Sequence, residues 1–260
     1  MKTLNFFVTS LKMTLSQQMA YKADFLIRTV TLLAFDLTLP FMILMIYFNT
    51  NGFSGWNLSQ ILLFQGVFFL LNSLDRMFFQ RVDWSLSYSV RNGAFDRYLL
   101  YPVNTLVYIS FTNIGIEHTA DFLIGISLII YSAMQLGLHF SLAKIALFSA
   151  FVILGIVFTL SLALLKYSLI IRAVRIGRIG ELFRTVKTYG QFPADIYGTF
   201  VSSLVRYMIP LALLAYYPSK ALIGGATENF AVIALITIAI FALSLALWNR
   251  TLKFYTSAGG

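Results

Sequence analysis

Two acidic residues and a histidine interrupt an otherwise apolar stretch near the middle of the chain. Glu117 and Asp121 are four residues apart, which puts both carboxylates on one face of a helix, and His118 lies beside that face. Two carboxylates facing lipid would be costly, so this face is expected to contact protein or water. Arg206, within another apolar stretch, is a plausible partner for them. A buried network that holds helices together and a polar lining of a membrane-crossing route both fit these residues.

Side chains that could perform catalysis are otherwise sparse. His118 and His139 are too far apart to suggest a metal pair, and the Cys-x-x-Cys and His-Glu-x-x-His spacings are missing. No Gly-x-x-x-x-Gly-Lys-Ser/Thr phosphate-binding loop occurs, and no Gly-Lys dipeptide is present. The chain is therefore expected not to be an enzyme, to hold no metal or cofactor of its own, and not to bind ATP through such a loop.

Composition places these residues in a membrane protein. Of the 260 residues, 59% are hydrophobic and 11% are charged, whereas about a quarter of a soluble domain is charged. The apolar residues form long blocks, and backbone groups in hydrocarbon must be hydrogen-bonded internally, so the blocks are expected to be helices. The predicted fold is an all-α polytopic membrane protein with a single transmembrane domain over residues 1–260.

Six transmembrane helices are predicted, each near the ~20 residues that a bilayer requires. They are Phe25–Phe48, Leu58–Phe78, Thr105–Leu136, Leu142–Ile170, Ile196–Tyr216 and Phe230–Trp248. Residues 1–22 precede them with an amphipathic pattern, which predicts a helix lying in the membrane interface. The alternative is that these residues are the frayed start of the first span.

Basic residues lie mainly on one side of the predicted spans. The opposite loops are poor in them: residues 49–57 and 135–141 have none, and residues 217–229 have Lys220 only. The positive-inside rule then places both termini and the two long polar loops in the cytoplasm. The formal net charge of +9 follows from this topology, and no nucleic-acid-binding module fits the chain.

The segment Arg81–Asn104 is a polar, aromatic-rich loop between the second and third predicted spans. Gly93 permits a bend within it, and Pro102 marks where the chain turns back toward the bilayer. One side of the segment is apolar, with Val82, Leu86, Val90, Phe95, Tyr98 and Leu99. A short helix of this kind can lie along the membrane surface or bind in a partner's groove. A solvated connecting loop is the simpler alternative.

Residues 91–104, RNGAFDRYLLYPVN, resemble the pattern that follows the second span of ABC-2 type permeases: basic, Gly, x, apolar, Asp, x, apolar, Leu, Leu, x, Pro, Val. The stretches at residues 21–29 and 192–225 resemble two further stretches of the ABC-2 family of uncharacterised export permeases. Tyr101 departs from the pattern, since the family more often has Arg before the proline. A charge contact at that position is therefore not carried over.

The resemblance implies the permease subunit of an ATP-driven exporter. Such a subunit forms a dimer with an identical or homologous second permease, and a separate cytoplasmic ATPase carries ATP and Mg. Residues 81–104 would then be the coupling loop that docks on the ATPase. The residues expected to form or shape this contact are Gly93, Phe95, Asp96, Arg97, Tyr98, Leu99 and Pro102. The expected location is the inner (plasma) membrane of a prokaryotic cell, with membrane lipids as further partners.

The resemblance also implies that residues 216–229 form short helices that dip back into the outer leaflet. A plain loop is the alternative for this segment. Its turn-forming residues are Pro218, Gly224 and Gly225.

The substrate is not encoded in any recognisable motif, and an amphipathic or lipid-like compound is favoured. A secondary transporter or channel is the main alternative function. It would use the intramembrane charges Glu117, Asp121 and Arg206, with helix kinks at Pro40 and Pro210. No convincing internal repeat supports this alternative. Copurification with an ATPase would favour the exporter, whereas ion-driven uptake by the lone subunit would favour the alternative.

Overall fold

The computed structural model describes residues 2–173, 176–224 and 230–256, and the regular structure in these ranges is helical. Within them, five helices are long and apolar enough to cross a membrane. They are Lys22–Asn49, Leu58–Arg91, Ile116–Gln135, Leu142–Arg172 and Phe230–Lys253. The predicted all-α polytopic fold is confirmed.

A separate helix, α1 (Lys2–Ala20), precedes the first spanning helix. The first span consists of α2 (Lys22–Asp36) and α3 (Thr38–Asn49), which are separated by a single residue. Helix α1 packs against α2 and against the start of the third span. The rings of Phe7 and Phe111, 4.7 Å apart between centroids, form part of the second contact.

The second span is longer than its hydropathy predicts. Helix α4 (Leu58–Asp75) begins at a capping box, in which Asn57 Oδ1 accepts from the Gln60 amide at 2.8 Å and the Gln60 side chain accepts from the Asn57 amide at 3.0 Å. A π-helical turn, Arg76–Gln80, joins α4 to α5 (Arg81–Arg91) without a break. The 34-residue helix is about 51 Å long, against a hydrocarbon core of about 30 Å. Half of the predicted coupling loop is therefore a continuation of the second span.

The third span is interrupted. After α6 (Phe95–Leu100), helix α7 (Thr105–Thr112) ends, a 3-10 turn follows at Ile116–His118, and α8 (Thr119–Gln135) completes the span. Helix α8 packs antiparallel to α4 at very short range. A Cβ atom added to Gly125 would lie 2.7 Å from the Leu70 amide nitrogen, too close for any real side chain.

The fourth and last spans pack against each other as α9 (Leu142–Ala173) and α13 (Phe230–Lys253). Two apolar clusters fill the interior. One surrounds the buried rings of Phe64, Phe151 and Phe158, and the other surrounds Tyr167 and Phe95. The second cluster also contains Trp248 of α13, so the last part of α13 packs against the end of the second span.

The fifth predicted span, Ile196–Tyr216, is wrong as a continuous helix. The backbone leaves the helical conformation at Ile209 (φ −122°, ψ 88°), just before Pro210, which has no amide hydrogen to continue a helix. The predicted span consists instead of short pieces. They are α11 (Thr199–Ser203), a π-helical turn (Leu204–Met208), a 3-10 turn (Leu211–Leu214) and the start of α12 (Tyr216–Ile223).

The chain makes its fifth crossing earlier, through α10 (Ile176–Thr188) and the residues that follow it. Hydrogen bonds to α4 mark its path: Lys187 to Asp75, Gln65 to the Gln191 carbonyl, and Trp56 to Asp195. The α4 partners lie at the end of that helix, in its middle, and just before its start. Residues 187–195 therefore run the length of α4, from its Asp75 end to its Asn57 end.

Residues 199–224 then dip into the protein and return to the same end. The Leu213 carbonyl in the dip lies 3.0 Å from where a Cβ of Gly155 would stand, well inside α9. Gly224 ends α12 with φ +89° beside Lys144, near the start of α9. Residues 216–224 of the segment predicted to re-enter at 216–229 are thus the second half of a dip that begins near 199, and residues 225–229 lie outside the described residues. Pro218 lies within α12, and Gly225 lies outside the described residues.

Candidate functional site

Two irregular helical segments face each other where the second and third spans meet. The π-helical turn at Arg76–Gln80 leaves carbonyl groups without partners in its own helix. The Met77 carbonyl accepts from the Gly115 amide at 2.8 Å, and the Phe79 carbonyl accepts from the Tyr167 hydroxyl at 2.8 Å. The two breaks therefore stabilise each other.

Glu117 is held by an arginine of the second span. Arg81 Nε donates to Glu117 Oε1 at 2.9 Å and Arg81 Nη2 donates to Oε2 at 2.8 Å, a bidentate pair. Only 6% of Glu117 is exposed. The predicted partner, Arg206, is wrong, because Arg206, in the dip, pairs with Asp195, which lies just before the dip. The early fifth crossing carries Arg206 to the Asn57 end of the molecule, away from Glu117.

Asp121 belongs to a second polar group that joins three spans. His118 Nδ1 lies 3.1 Å from Asp121 Oδ2, and Arg76 Nη1 lies 3.9 Å from the same oxygen. Arg76 also donates to Asp36 at the end of α2. With its amide oxygen toward Arg76, Asn72 accepts from the guanidinium at 3.2 and 3.3 Å. The two carboxylates predicted to share a face are therefore bound by different arginines.

The segment predicted to couple to an ATPase forms a compact turn at the Arg91 end. Gly93 has φ +67°, and α6 then folds back onto α5. Phe95 is 0% exposed and contacts the Tyr98 and Tyr255 rings at centroid distances of 6.0 and 5.0 Å. Ser89 donates to the Tyr98 hydroxyl at 3.1 Å. Within the subunit Phe95 is not at the surface but anchors the turn to the core, and its contact with a partner stays a prediction.

Other residues at this end are exposed. Trp84 and Tyr88 in α5 are 77% and 70% exposed, and Leu100 in α6 is 82% exposed. The sequence reasoning missed these three, although Trp84 and Tyr88 are four residues apart, off the face formed by Val82, Leu86 and Val90. Of the predicted contact residues, Arg97 and Leu99 are exposed, and Asp96 is partly so. Pro102 follows Tyr101, whose extended backbone (ψ 141°) ends α6.

A basic cavity of about 910 Å³ opens at the same end. The last turn of α13, the end of α9 and the end of α5 form its walls. Arg91, Arg172 and Arg250 line it, and Arg172 Nε donates to the Thr251 hydroxyl at 3.2 Å. This end of the molecule therefore combines exposed aromatic side chains with clustered positive charge.

A separate polar cluster lies at the Asn57 end. Asp195 accepts from Trp56 Nε1 at 3.1 Å, from the Tyr216 hydroxyl at 2.8 Å and from Arg206, and Lys220 Nζ lies 3.5 Å away. Burial tends to raise the pKa of Asp195, but the Tyr216 hydrogen bond and the two cations outweigh it, so the pKa lies below its ordinary value. The cluster fastens both halves of the dip to the start of the second span.

The helical architecture and the spanning helices define a multi-pass membrane protein. Residues 33–259 match the family described as ABC-2 family transporter protein, and the chain belongs to that family. Proteins of this family are membrane permease subunits of ABC transporters that generally work with ABC ATPase partners and are generally not catalytic themselves. The chain matches no curated protein at a significant level.

Proposed function

We propose that this chain is the permease subunit of an ATP-driven exporter that moves an amphipathic or lipid-like compound out across the inner membrane of a prokaryotic cell. The observation that carries the proposal is the continuous helix Leu58–Arg91, which is longer than a bilayer needs and ends in a structured turn. The chain lacks a phosphate-binding loop, so the energy enters through contacts with a separate ATPase subunit that carries ATP and Mg.

The distribution of charge supports a cytoplasmic Arg91 end. Arg91, Arg97, Arg172 and Arg250 lie near this end of the spanning helices, whereas the loop 49–57 at the other end has no basic residue. Both chain termini are then cytoplasmic, and the dip at residues 199–224 enters from the outer side.

The ATPase docks on a coupling surface that consists of Trp84, Tyr88, Arg97, Leu99 and Leu100. Aromatic and arginine side chains are frequent anchors of protein interfaces. Because Phe95 and Tyr98 fix α6 to α5 and to the end of the chain, a force on this surface passes directly into the second span. The Arg91 cavity adds a basic region that suits an acidic face of the ATPase.

A second permease completes the transporter. The first span is the least buried of the spanning helices, with 11% of its most apolar window buried within the subunit. Its exposed apolar face is available to a partner subunit and to lipid. An identical and a homologous second permease fit this face equally well.

The secondary-transporter alternative would use the intramembrane charges Glu117, Asp121 and Arg206. Arg206 pairs with Asp195 at the opposite end from Glu117 and Arg81. The three charged side chains therefore do not form one group in the described structure.

Crosslinking tests the docking site. Because the chain has no cysteine, Trp84→Cys and Leu99→Cys each introduce a single thiol. We expect both to crosslink to the ATPase in the assembled complex, and Phe140→Cys, which is exposed at the other end, not to crosslink. The purified chain alone should hydrolyse no ATP. Crosslinks from Arg184→Cys in α10 alone would place the docking site on α10 and overturn the assignment.

A further inference from the structure

A small cavity lies between the first, second, third and fifth crossings. It has a volume of about 110 Å³, and its polar lining comprises Asp36, Gln65, Asn72, Arg76 and Asp121. That is room for a few water molecules or a small ionic group. We propose that this cavity binds the protonated primary amine of an amphiphilic substrate. The inference rests on the proposed transport function and names the substrate class.

The charge of the lining favours a cation. One guanidinium, Arg76, lies between two carboxyl groups, Asp36 and Asp121, so the cavity lining contains one more acidic than basic side chain. The neighbouring pair of Arg81 and Glu117 is neutral as a unit. Uncompensated charge is costly away from water. An ammonium group would remove this excess, whereas a phosphate or carboxylate group would enlarge it.

The hydrogen-bonding capacity of the lining favours a donor. Asp121 Oδ1 and Gln65 Oε1 are buried and have no hydrogen-bond partner in the described structure. Asp121 is 3% exposed, and its other oxygen is occupied by His118 and lies near Arg76. Both unpartnered atoms are acceptors, and a primary ammonium supplies three N–H donors. A quaternary ammonium has the same charge but no donor.

The apolar part of the cavity suits a hydrocarbon chain. Leu39, Phe68 and Phe69 line it, and Phe35 lies at its side with 74% of its surface exposed. Gly125 lies against the backbone between Gly66 and Leu70. Because α8 runs antiparallel to α4, Asp121, which lies one turn before Gly125, is nearer the Asp75 end of α4 than Gly125 is. Measured along α4, Asp121 is therefore about two helical turns, or about 11 Å, from Gln65. The amine of the substrate would lie at the Asp121 end of the cavity. Gln65 would accept from a second donor, such as a hydroxyl group, on the hydrocarbon chain of the substrate.

Binding is tested with the full chain in phosphatidylcholine nanodiscs. The probe is radiolabelled dodecylammonium, and the comparison is dodecyltrimethylammonium of equal chain length. We expect tighter binding of the primary amine. Asp121→Asn should weaken its binding at least about tenfold, because it removes a charge-assisted hydrogen bond. Asp36→Asn is a second variant with the same expected direction, should Asp121→Asn fail to fold. Asp24→Asn, an exposed carboxylate on the same spanning helix as Asp36, should bind as the unmodified chain does.

Equal binding of the two amphiphiles, or unchanged binding by both Asp121→Asn and Asp36→Asn in folded protein, would overturn the proposal. Phosphatidylethanolamine, which carries a primary amine, is added to the nanodiscs in a second arm. Displacement of the probe supports the proposal with a lipid head group as the ligand, and no displacement supports it with a non-lipid amine. The assay contains no ATPase, so its failure leaves the exporter proposal intact, and failed crosslinking leaves this result intact.

Discussion

Glu117 is a buried carboxylate whose charge is balanced by a single side chain, Arg81. Among the residues that the structure describes, no second Lys or Arg forms an ion pair with Glu117, so removing Arg81 leaves a carboxylate without such a partner in a site that water scarcely reaches. Breaking a buried pair in this way typically costs about 3–5 kcal/mol, whereas replacing both members costs much less.

We therefore expect Arg81→Gln to lower the thermal unfolding temperature in nanodiscs markedly, and Arg81→Gln with Glu117→Gln to recover part of the loss. Arg28→Gln is the control, since its partner Asp24 is exposed and such pairs are worth about 1 kcal/mol or less. Strictly additive losses from Arg81→Gln and Glu117→Gln would show that the two side chains do not stabilise each other.

The sequence correctly indicates that Glu117 and Asp121 face protein, because carboxylates in an apolar segment have few other options. It does not identify their partners. Arg76 and Arg81 look like residues of a span end and a loop, and they become intramembrane partners only because the second span continues through a π-helical turn. Arg206 looks like a mid-span cation, and it is not one because the span itself is displaced.

The contact between α4 and α8 depends on two glycines. A Cβ at Gly125 would lie 2.7 Å from the Leu70 nitrogen and 2.9 Å from the Gly66 carbonyl oxygen, and neither backbone atom can move without shifting a helix. Forcing atoms into such a contact typically costs about 1–3 kcal/mol.

Gly125→Ala is thus expected to lower the unfolding temperature, and the structure offers a matched control. Gly180 in α10 has open space where its Cβ would stand. Because alanine is the better helix former, Gly180→Ala should be neutral or stabilising by up to about 1 kcal/mol. An equal effect of the two substitutions would mean that the close contact does not exist.

Hydropathy predicts the first, second, fourth and last spans, where long apolar runs leave little choice. It fails for the fifth because α10 carries Arg184 and Lys187 and looks like a loop, while the apolar residues of the dip look like a span. Lys187 is accommodated by Asp75 at 2.6 Å, a contact between residues 112 positions apart. No local pattern in the sequence encodes that pairing.

The molecule has a basic Arg91 end, with Arg91, Arg172 and Arg250, and an opposite end whose loop 49–57 has no basic residue. If this asymmetry sets the orientation, a reporter that is active only outside the cytoplasm should be active when inserted at Asn51 and inactive when fused after Thr256. Insertion at Gly137, in the second short loop of the same side, is the matched control and should behave as Asn51 does. Activity after Thr256, or silence at Asn51, would contradict the proposed topology.

Under the proposed coupling, the 34-residue helix Leu58–Arg91 would act as a lever. Its fulcrum is the π-helical turn, where Lys187 contacts Asp75, Tyr167 contacts Phe79 and Lys166 contacts Asp83. The arm toward Leu58 is about 27 Å and the arm toward Arg91 is about 16 Å, from 1.5 Å per residue. Under the proposed docking, a stroke of the ATPase at the short arm would swing the Leu58 end about 1.7 times as far in the opposite direction. The Leu58 end begins beside Trp56, which donates to Asp195, so the swing would pull on the Asp195 cluster that fastens the dip.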